Sequence, residues 1–172
     1  MGLAARHRAV DPVKGTMFSG GIGDRESGWF GLMGQKLFVA VEECDTDGLA
    51  RLMQDNELSS YVNDLDGDGF GLLHHLAMGS GAYATDESRA AAVPLLDVLM
   101  AGGADLDLRN QMQETPLILA AMYGSVRVTE YLLKHGARAD LCDWSGHTAM
   151  ARTERCKGTA EDKVGRVYTS TL

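Results

Sequence analysis

Beyond residue 34, apolar residues recur three or four positions apart in short stretches that end at glycine. The clearest stretches lie between Thr115 and Gly136. Thr115 is a typical N-cap, Pro116 suits the first helical position, and Gly124 and Gly136 each end a stretch. One apolar face consists of Leu117, Ala120 and Ala121, and the other of Val126, Val128, Tyr131, Leu132 and Leu133. The pattern predicts two short antiparallel helices joined by a tight turn.

This helical hairpin recurs with a period of 33 residues. Asn110 and Asp143, which open two units, lie 33 positions apart, as do Gly103 and Gly136. A further unit opens at Asp66, 44 residues before Asn110, so it carries 11 extra residues, which we place at 79–89 as a protruding loop. The loop is expected to end at a cap, Thr85 or Asp86, before the second helix of this unit, with Pro94 in the first turn of that helix. One hairpin cannot bury its apolar face alone, so the units are expected to stack into a solenoid.

The repeated units resemble the ankyrin repeat family. The motifs that carry the resemblance are Thr115-Pro116-Leu117, Ala120-Ala121, Gly124, Leu132-Leu133 and Gly136-Ala137. The resemblance implies an all-α solenoid of stacked helix-turn-helix units, preceded by an extended Gly-rich N-terminal arm. The expected segments are the arm (1–33), an N-terminal cap repeat (34–65), a repeat with the insertion (66–109), the best-matching repeat (110–142), a C-terminal cap repeat (143–168) and a tail (169–172).

The arm shows no helical or strand period. Residues 15–34 contain seven glycines in twenty residues, and ordering such a chain costs more backbone entropy than usual. The same region also carries apolar side chains that a plain linker would lack: Met17, Phe18, Ile22, Trp29, Phe30, Leu32 and Met33. We therefore expect the arm to dock, either on its own domain or on another chain. Whether residues 1–14, with two arginines, act as a targeting signal stays open.

Composition narrows the class of protein. The chain of 172 residues has a net charge of −8, which argues against binding nucleic acid by phosphate neutralisation. No run of 18 apolar residues occurs, so no transmembrane helix is predicted. An odd number of cysteines, three, indicates a reducing compartment. We therefore expect a cytoplasmic protein.

Candidate metal and catalytic motifs are incomplete. Asp64, Asp66 and Asp68 occupy the first, third and fifth positions of a calcium loop, but His75 stands where the bidentate Glu should be. The set Cys142, His147 and Cys156 lacks a fourth ligand and the usual spacing for zinc. No Ser or Cys is paired with a base by any motif. The sequence predicts no metal, no cofactor and no enzymatic activity.

The resemblance also indicates which residues would bind a partner. In ankyrin proteins the binding surface consists of the loops that open each repeat, called fingers, and the exposed face of the first helix. For His74 of this chain the resemblance implies a structural role, a hydrogen bond between neighbouring turns. The partner-binding candidates are Asp68, Phe70, Met78, Gln111, Met112, Glu114, Met122, Tyr123, Trp144, Ser145, His147 and Arg155, with Trp29 and Phe30 in the arm. Exposed aromatic and Met side chains are typical of interface centres.

The predicted function is a non-catalytic protein–protein interaction module, an adaptor or structural component of a larger assembly. A regulatory subunit of an enzyme and a permanently embedded cytoskeletal or ciliary protein are the alternatives. Residues 34–158 carry 10 basic and 19 acidic residues. This excess favours a protein partner with a basic or mixed apolar surface, bound by a monomer within a hetero-complex.

Overall fold

The computed structural model describes residues 32–81 and 84–154. This part of the chain forms eight α-helices and, apart from one isolated bridge between Cys142 and Thr148, no β-structure. The helices are α1 (Leu32–Glu42), α2 (Thr46–Leu52), α3 (Asn56–Ser59), α4 (Leu72–Gly79), α5 (Asp86–Ala101), α6 (Pro116–Tyr123), α7 (Val126–Lys134) and α8 (Ala149–Glu154).

The helices form two layers. In the first layer α1 packs on α4, α4 on α6 and α6 on α8, while in the second α2 packs on α5 and α5 on α7. Within each hairpin, α1 contacts α2, α4 contacts α5 and α6 contacts α7. The predicted all-α solenoid of stacked hairpins is therefore confirmed. The predicted second helix of the last repeat lies outside the described residues.

The caps of the best-matching hairpin form as their residue types predict. Thr115 accepts a hydrogen bond at Oγ1 from the Ile118 N–H at 3.3 Å, and Pro116 occupies the first position of α6. Gly124 ends α6 with φ +71°, and Gly136 follows α7 with φ +92°. These left-handed conformations are the ones that glycine adopts without steric cost.

Burial of α6 exceeds what its sequence period indicated. Besides Leu117, Ala120 and Ala121, the structure buries Ile118 and Leu119. The reason is tertiary: α6 has α4 on one side, α8 on the other and α7 behind it. A helix surrounded in this way is apolar all round.

The insertion contributes residues 86–89 to the first turn of α5, whereas residues 80, 81, 84 and 85 lie between α4 and α5 outside any helix. Thr85 caps α5 by accepting a hydrogen bond from the Ser88 N–H at 3.1 Å, and the helix runs on for 16 residues. Pro94 was expected in the first turn, and this is wrong, because it lies in the interior of α5. Proline removes one helical hydrogen bond there. Leu95, Leu96 and Leu99, all buried, fix the rest of α5 in the core.

The start of the insertion packs tightly against α6, which yields a first prediction. A Cβ atom on Gly81 would lie 2.3 Å from the Tyr123 carbonyl oxygen, whereas a Cβ on Gly79 would meet nothing within 4 Å. Gly81→Ala should therefore lower the free energy of unfolding by about 1–3 kcal/mol, the usual cost of overpacking. Gly79→Ala is the matched control and should not destabilise the protein. Urea unfolding of both variants measures this, and equal midpoints would contradict the packing at Gly81.

Candidate interaction surface

Three finger loops, residues 66–71, 110–115 and 143–148, share one hydrogen-bonding pattern. The first residue of each loop accepts, at Oδ1, the backbone N–H groups two and four positions further on. The distances are 2.9 and 2.8 Å at Asp66, 2.9 and 2.9 Å at Asn110, and 2.8 and 3.1 Å at Asp143. Asp and Asn suit this position because their short side chains reach backbone donors two residues on.

Each finger turns back on itself. The fourth residue has a positive φ of +83° at Gly69, +60° at Gln113 and +77° at Gly146. The fifth residue then makes two hydrogen bonds with the first residue of the same finger. Its N–H donates to the side-chain oxygen of the first residue, and its C=O accepts from the backbone N–H of the first residue. The second and third residues are left at the tip, so their side chains are the ones presented outward.

Adjacent fingers touch at their tips. The Trp144 N–H donates to the Met112 carbonyl oxygen at 3.0 Å, which ties the third described finger to the second. The Gln111 side chain covers Gly69 of the first finger, where a Cβ would lie 2.5 Å from Gln111 Cγ. We call the resulting row of tip residues the finger ridge; it consists of Asp68, Gln111, Met112, Trp144 and Ser145.

The finger ridge exposes two large apolar side chains. Trp144 is 72% exposed and Met112 is 56% exposed, although they belong to fingers joined by a backbone hydrogen bond. Single exposed apolar residues are ordinary, but neighbouring ones with an aromatic member indicate an interaction site. All five ridge candidates from the sequence are exposed.

The fifth finger residues do not share this exposure. Glu114 was expected at the surface, and this is wrong: it is buried and accepts a hydrogen bond from Asn110 Nδ2 at 2.8 Å. Phe70 and His147, which occupy the same position, are half-buried, and Phe70 packs edge-on against His74 and His75. The physical reason is the backbone pairing of the fifth residue with the first, which turns its side chain toward the stack.

The candidates at the helix ends lie apart from the ridge. Met78 and Met122 are half-buried against the core, and Tyr123 is 43% exposed. Tyr123 ends α6, whereas the finger precedes the start of that helix. Eight residues of α-helix rise about 10 Å. The structure therefore does not bring Tyr123 together with Trp144, and Trp29, Phe30 and Arg155 lie outside the described residues.

His74 links neighbouring repeats, as the sequence suggested. Its Nδ1 accepts the Gly71 N–H at 2.9 Å, and its Nε2 lies 3.1 Å from the Glu114 carbonyl oxygen on the next finger. This pair of contacts requires the neutral ring with the proton on Nε2. Burial lowers the pKa of His74 to about 4, although the carbonyl of Glu114 opposes the shift.

Two finger carboxylates, those of Asp66 and Asp143, are engaged by side chains of the protein itself. Asp66 Oδ2 lies 2.5 Å from His75 Nε2, and Asp143 Oδ2 binds the Arg152 guanidinium, with Nε at 2.7 Å. Burial by itself would raise the pKa of Asp143. Hydrogen bonds from the His147 N–H and the Arg152 side chain outweigh burial and hold this pKa below its usual range. Burial would likewise raise the pKa of Asp66, but hydrogen bonds, including the one from the His75 side chain, outweigh burial and lower this pKa.

The Asp66 contacts also bear on the calcium motif. Its Oδ1 accepts two backbone N–H groups and its Oδ2 contacts His75, so the side chain serves the finger turn. Within residues 32–81 and 84–154, no group of three or more His, Cys, Asp or Glu side chains is arranged to hold a metal ion. The zinc candidate Cys156 falls outside these residues.

Val39 is an exposed apolar residue that sequence reasoning missed. It is 46% exposed on α1, the first helix of the stack. The only available signal was a valine outside the apolar face, and a single such residue is weak evidence.

Comparison with known proteins gives a family match for part of the chain. Residues 83–153 match the family model described as ankyrin repeats (3 copies). The comparison with curated proteins returned no match. In the part of the chain that the structure describes, no helix is long and apolar enough to cross a membrane. The matched segment, together with the stacked hairpins and the three equivalent fingers, supports an ankyrin repeat protein.

Proposed function

We propose that the protein is a non-catalytic adaptor or structural component that binds a partner protein through the finger ridge. Ankyrin repeats are generally protein–protein interaction modules. The observation that carries the proposal is the exposed pair of Met112 and Trp144 on hydrogen-bonded fingers. Trp is among the residues most often found to dominate binding energy, and Met is enriched at interfaces.

The chemistry of the ridge favours a partner with an apolar pocket and a polar or basic border. Asp68 is exposed at one end of the ridge, next to Gln111, whereas Asp66 and Asp143 are engaged internally. Within the three finger loops, Asp68 is therefore the only exposed carboxylate. Apolar contact should supply most of the affinity, and charge should affect mainly the association rate.

Binding should depend on Trp144 more than on Tyr123. Trp144→Ala should weaken the complex by at least ~2 kcal/mol, roughly 30-fold in Kd, because a central aromatic anchor is lost. Tyr123→Ala should weaken the complex less, because Tyr123 lies at the end of α6 that is remote from the fingers. The stability of the free protein should change little in either case, since both side chains are exposed.

The test begins with affinity purification of the full chain and mass spectrometry of the proteins retained. The Kd of the stoichiometric partner is then measured by calorimetry for the wild type, Trp144→Ala, Met112→Ala and Arg127→Ala. Arg127 is exposed on α7, away from the fingers, and serves as the control. Equal Kd values for all four proteins would refute binding through the ridge.

A further inference from the structure

An open groove lies at the N-terminal end of the solenoid, away from the finger ridge. It has a volume of about 680 Å³ and runs between α1, α2 and α3. Its apolar lining includes Val39, Ala40, Leu52 and Leu58, and its charged lining includes Glu43, Arg51 and Asp55.

The groove uses the face of α1 that the stack leaves uncovered. Each helical residue advances by about 100° around the axis, so positions 37, 38 and 41 share one face, and positions 36, 39 and 43 share the opposite one. The first set, Leu37, Phe38 and Val41, is buried. The second set lines the groove. In a solenoid this outer face of the first hairpin is where another layer would pack.

The chain itself offers an occupant at this end. α1 begins at Leu32, and the groove lining begins at Gln35, so the residues preceding α1 join the domain next to the groove. Residues 155–172 instead follow α8, at the other end of the α1, α4, α6, α8 layer. At about 9 Å between neighbouring helix axes, the two ends of this layer are roughly 27 Å apart.

The residues before α1 also have suitable chemistry. Trp29 and Phe30 lie two or three positions ahead of Leu32, and Met17, Phe18 and Ile22 follow further upstream. From Leu32 to Val39 the helix rises about 10 Å, which about three extended residues span. Gly31, between Phe30 and Leu32, permits the chain to reverse direction. Asp24, Arg25 and Glu26 can meet the mixed charges of the rim.

We propose that residues 17–30 bind in this groove of their own chain, with Trp29 against Val39, and so cover the open end of the solenoid. The driving force is burial of apolar surface on both sides. The tether raises the effective concentration of the segment to the millimolar range, so even a weak contact is populated. The proposal concerns a different surface from the finger ridge and does not depend on it.

A single tryptophan can report the contact in the full chain. The protein has two tryptophans, so Trp144→Phe leaves Trp29 as the only one. Its emission should be blue-shifted and protected from acrylamide. Adding Val39→Glu should shift the emission to the red and raise quenching severalfold, because a carboxylate replaces the apolar contact. Met112→Glu places the same charge on the finger ridge and should leave Trp29 unchanged.

Several outcomes would overturn the proposal. Trp29 fully accessible to acrylamide in Trp144→Phe would show that the groove is not occupied by this segment. If Trp29 stayed protected from acrylamide in the Val39→Glu variant, its contact would lie outside the groove. Protection that disappears on dilution would assign the contact to a second copy of the chain. Circular dichroism verifies that each variant is folded, and Arg51→Glu on the opposite wall provides a second perturbation if Val39→Glu unfolds.

Discussion

Leu117→Ala and Leu132→Ala should each lower the free energy of unfolding by about 2–5 kcal/mol. Both leucines are fully buried, Leu117 on α6 and Leu132 on α7. Truncation removes the transfer free energy of three heavy atoms and leaves a cavity that the packed helices cannot fill completely. Because α6 contacts three other helices, a defect there weakens the interfaces on both sides.

The expected unfolding curve is a single cooperative transition shifted to lower urea concentration. Repeat arrays gain stability from contacts between neighbouring units, so a short array should melt as one body. Leu133→Ala is the matched control: the neighbouring leucine is only half-buried and its truncation should cost less. A near-neutral effect at Leu117 or Leu132 would mean that the helices pack in a different register.

The second large effect is a loss of stability as the pH falls from 6.5 to 4. The folded protein holds the pKa of His74 at about 4, against 6.5 for the ordinary side chain. Between these values the unfolded chain binds a proton that the folded protein does not. The contribution of His74 is therefore complete above pH 6.5 and lost by about pH 4. At 1.36 kcal/mol per unit, the loss is on the order of 3 kcal/mol.

The structural reason is the pair of hydrogen bonds that His74 makes as a neutral ring. Protonation of Nδ1 would point an N–H at the Gly71 N–H, breaking the cap of α4. The nearby His75 lowers the pKa of His74, whereas Asp66 raises it. The contribution of His74 to the pH dependence must therefore be isolated by comparing variants.

The comparison uses His74→Gln and His135→Gln. Urea unfolding of the wild type and both variants at pH 7, 6, 5 and 4 gives the slope of stability against pH. His74→Gln should flatten the slope. His135, exposed after α7, is the control and should leave the slope nearly unchanged. A steep slope that persists in His74→Gln would assign the pH dependence to other groups.

Much of the helical architecture could be predicted because its signals are local. Thr115, Pro116, Gly124 and Gly136 act on backbone groups within a few residues, so their roles follow from residue type and position. The 33-residue period then implies stacking, since no single hairpin buries its own apolar face. The prediction failed at Pro94, where local preference indicated a helix start. Buried leucines beyond it keep α5 continuous.

The interaction surface was predictable only in part. Residue type and period placed Met112 and Trp144 at finger tips, and both are exposed. The same reasoning placed Glu114 at the surface, but its position depends on Asn110 and on the His74 contact from the preceding repeat. The separation of Tyr123 from Trp144 also depends on two structural features, the length of α6 and the position of the fingers before their helices.

The sequence by itself determined the all-α class, the hairpin units and the finger positions, because helix caps, glycine turns and periodicity act over a few residues. The tertiary structure decided which candidate side chains are exposed, which carboxylates are engaged internally and where the open groove lies. These properties depend on contacts between different elements of the fold. Gly81 and His74 contact the next repeat, about 40 positions further on. Asp66 and Asp143 each bind a side chain nine positions further on, in the helix that follows the finger. Only the packed stack brings such residues together.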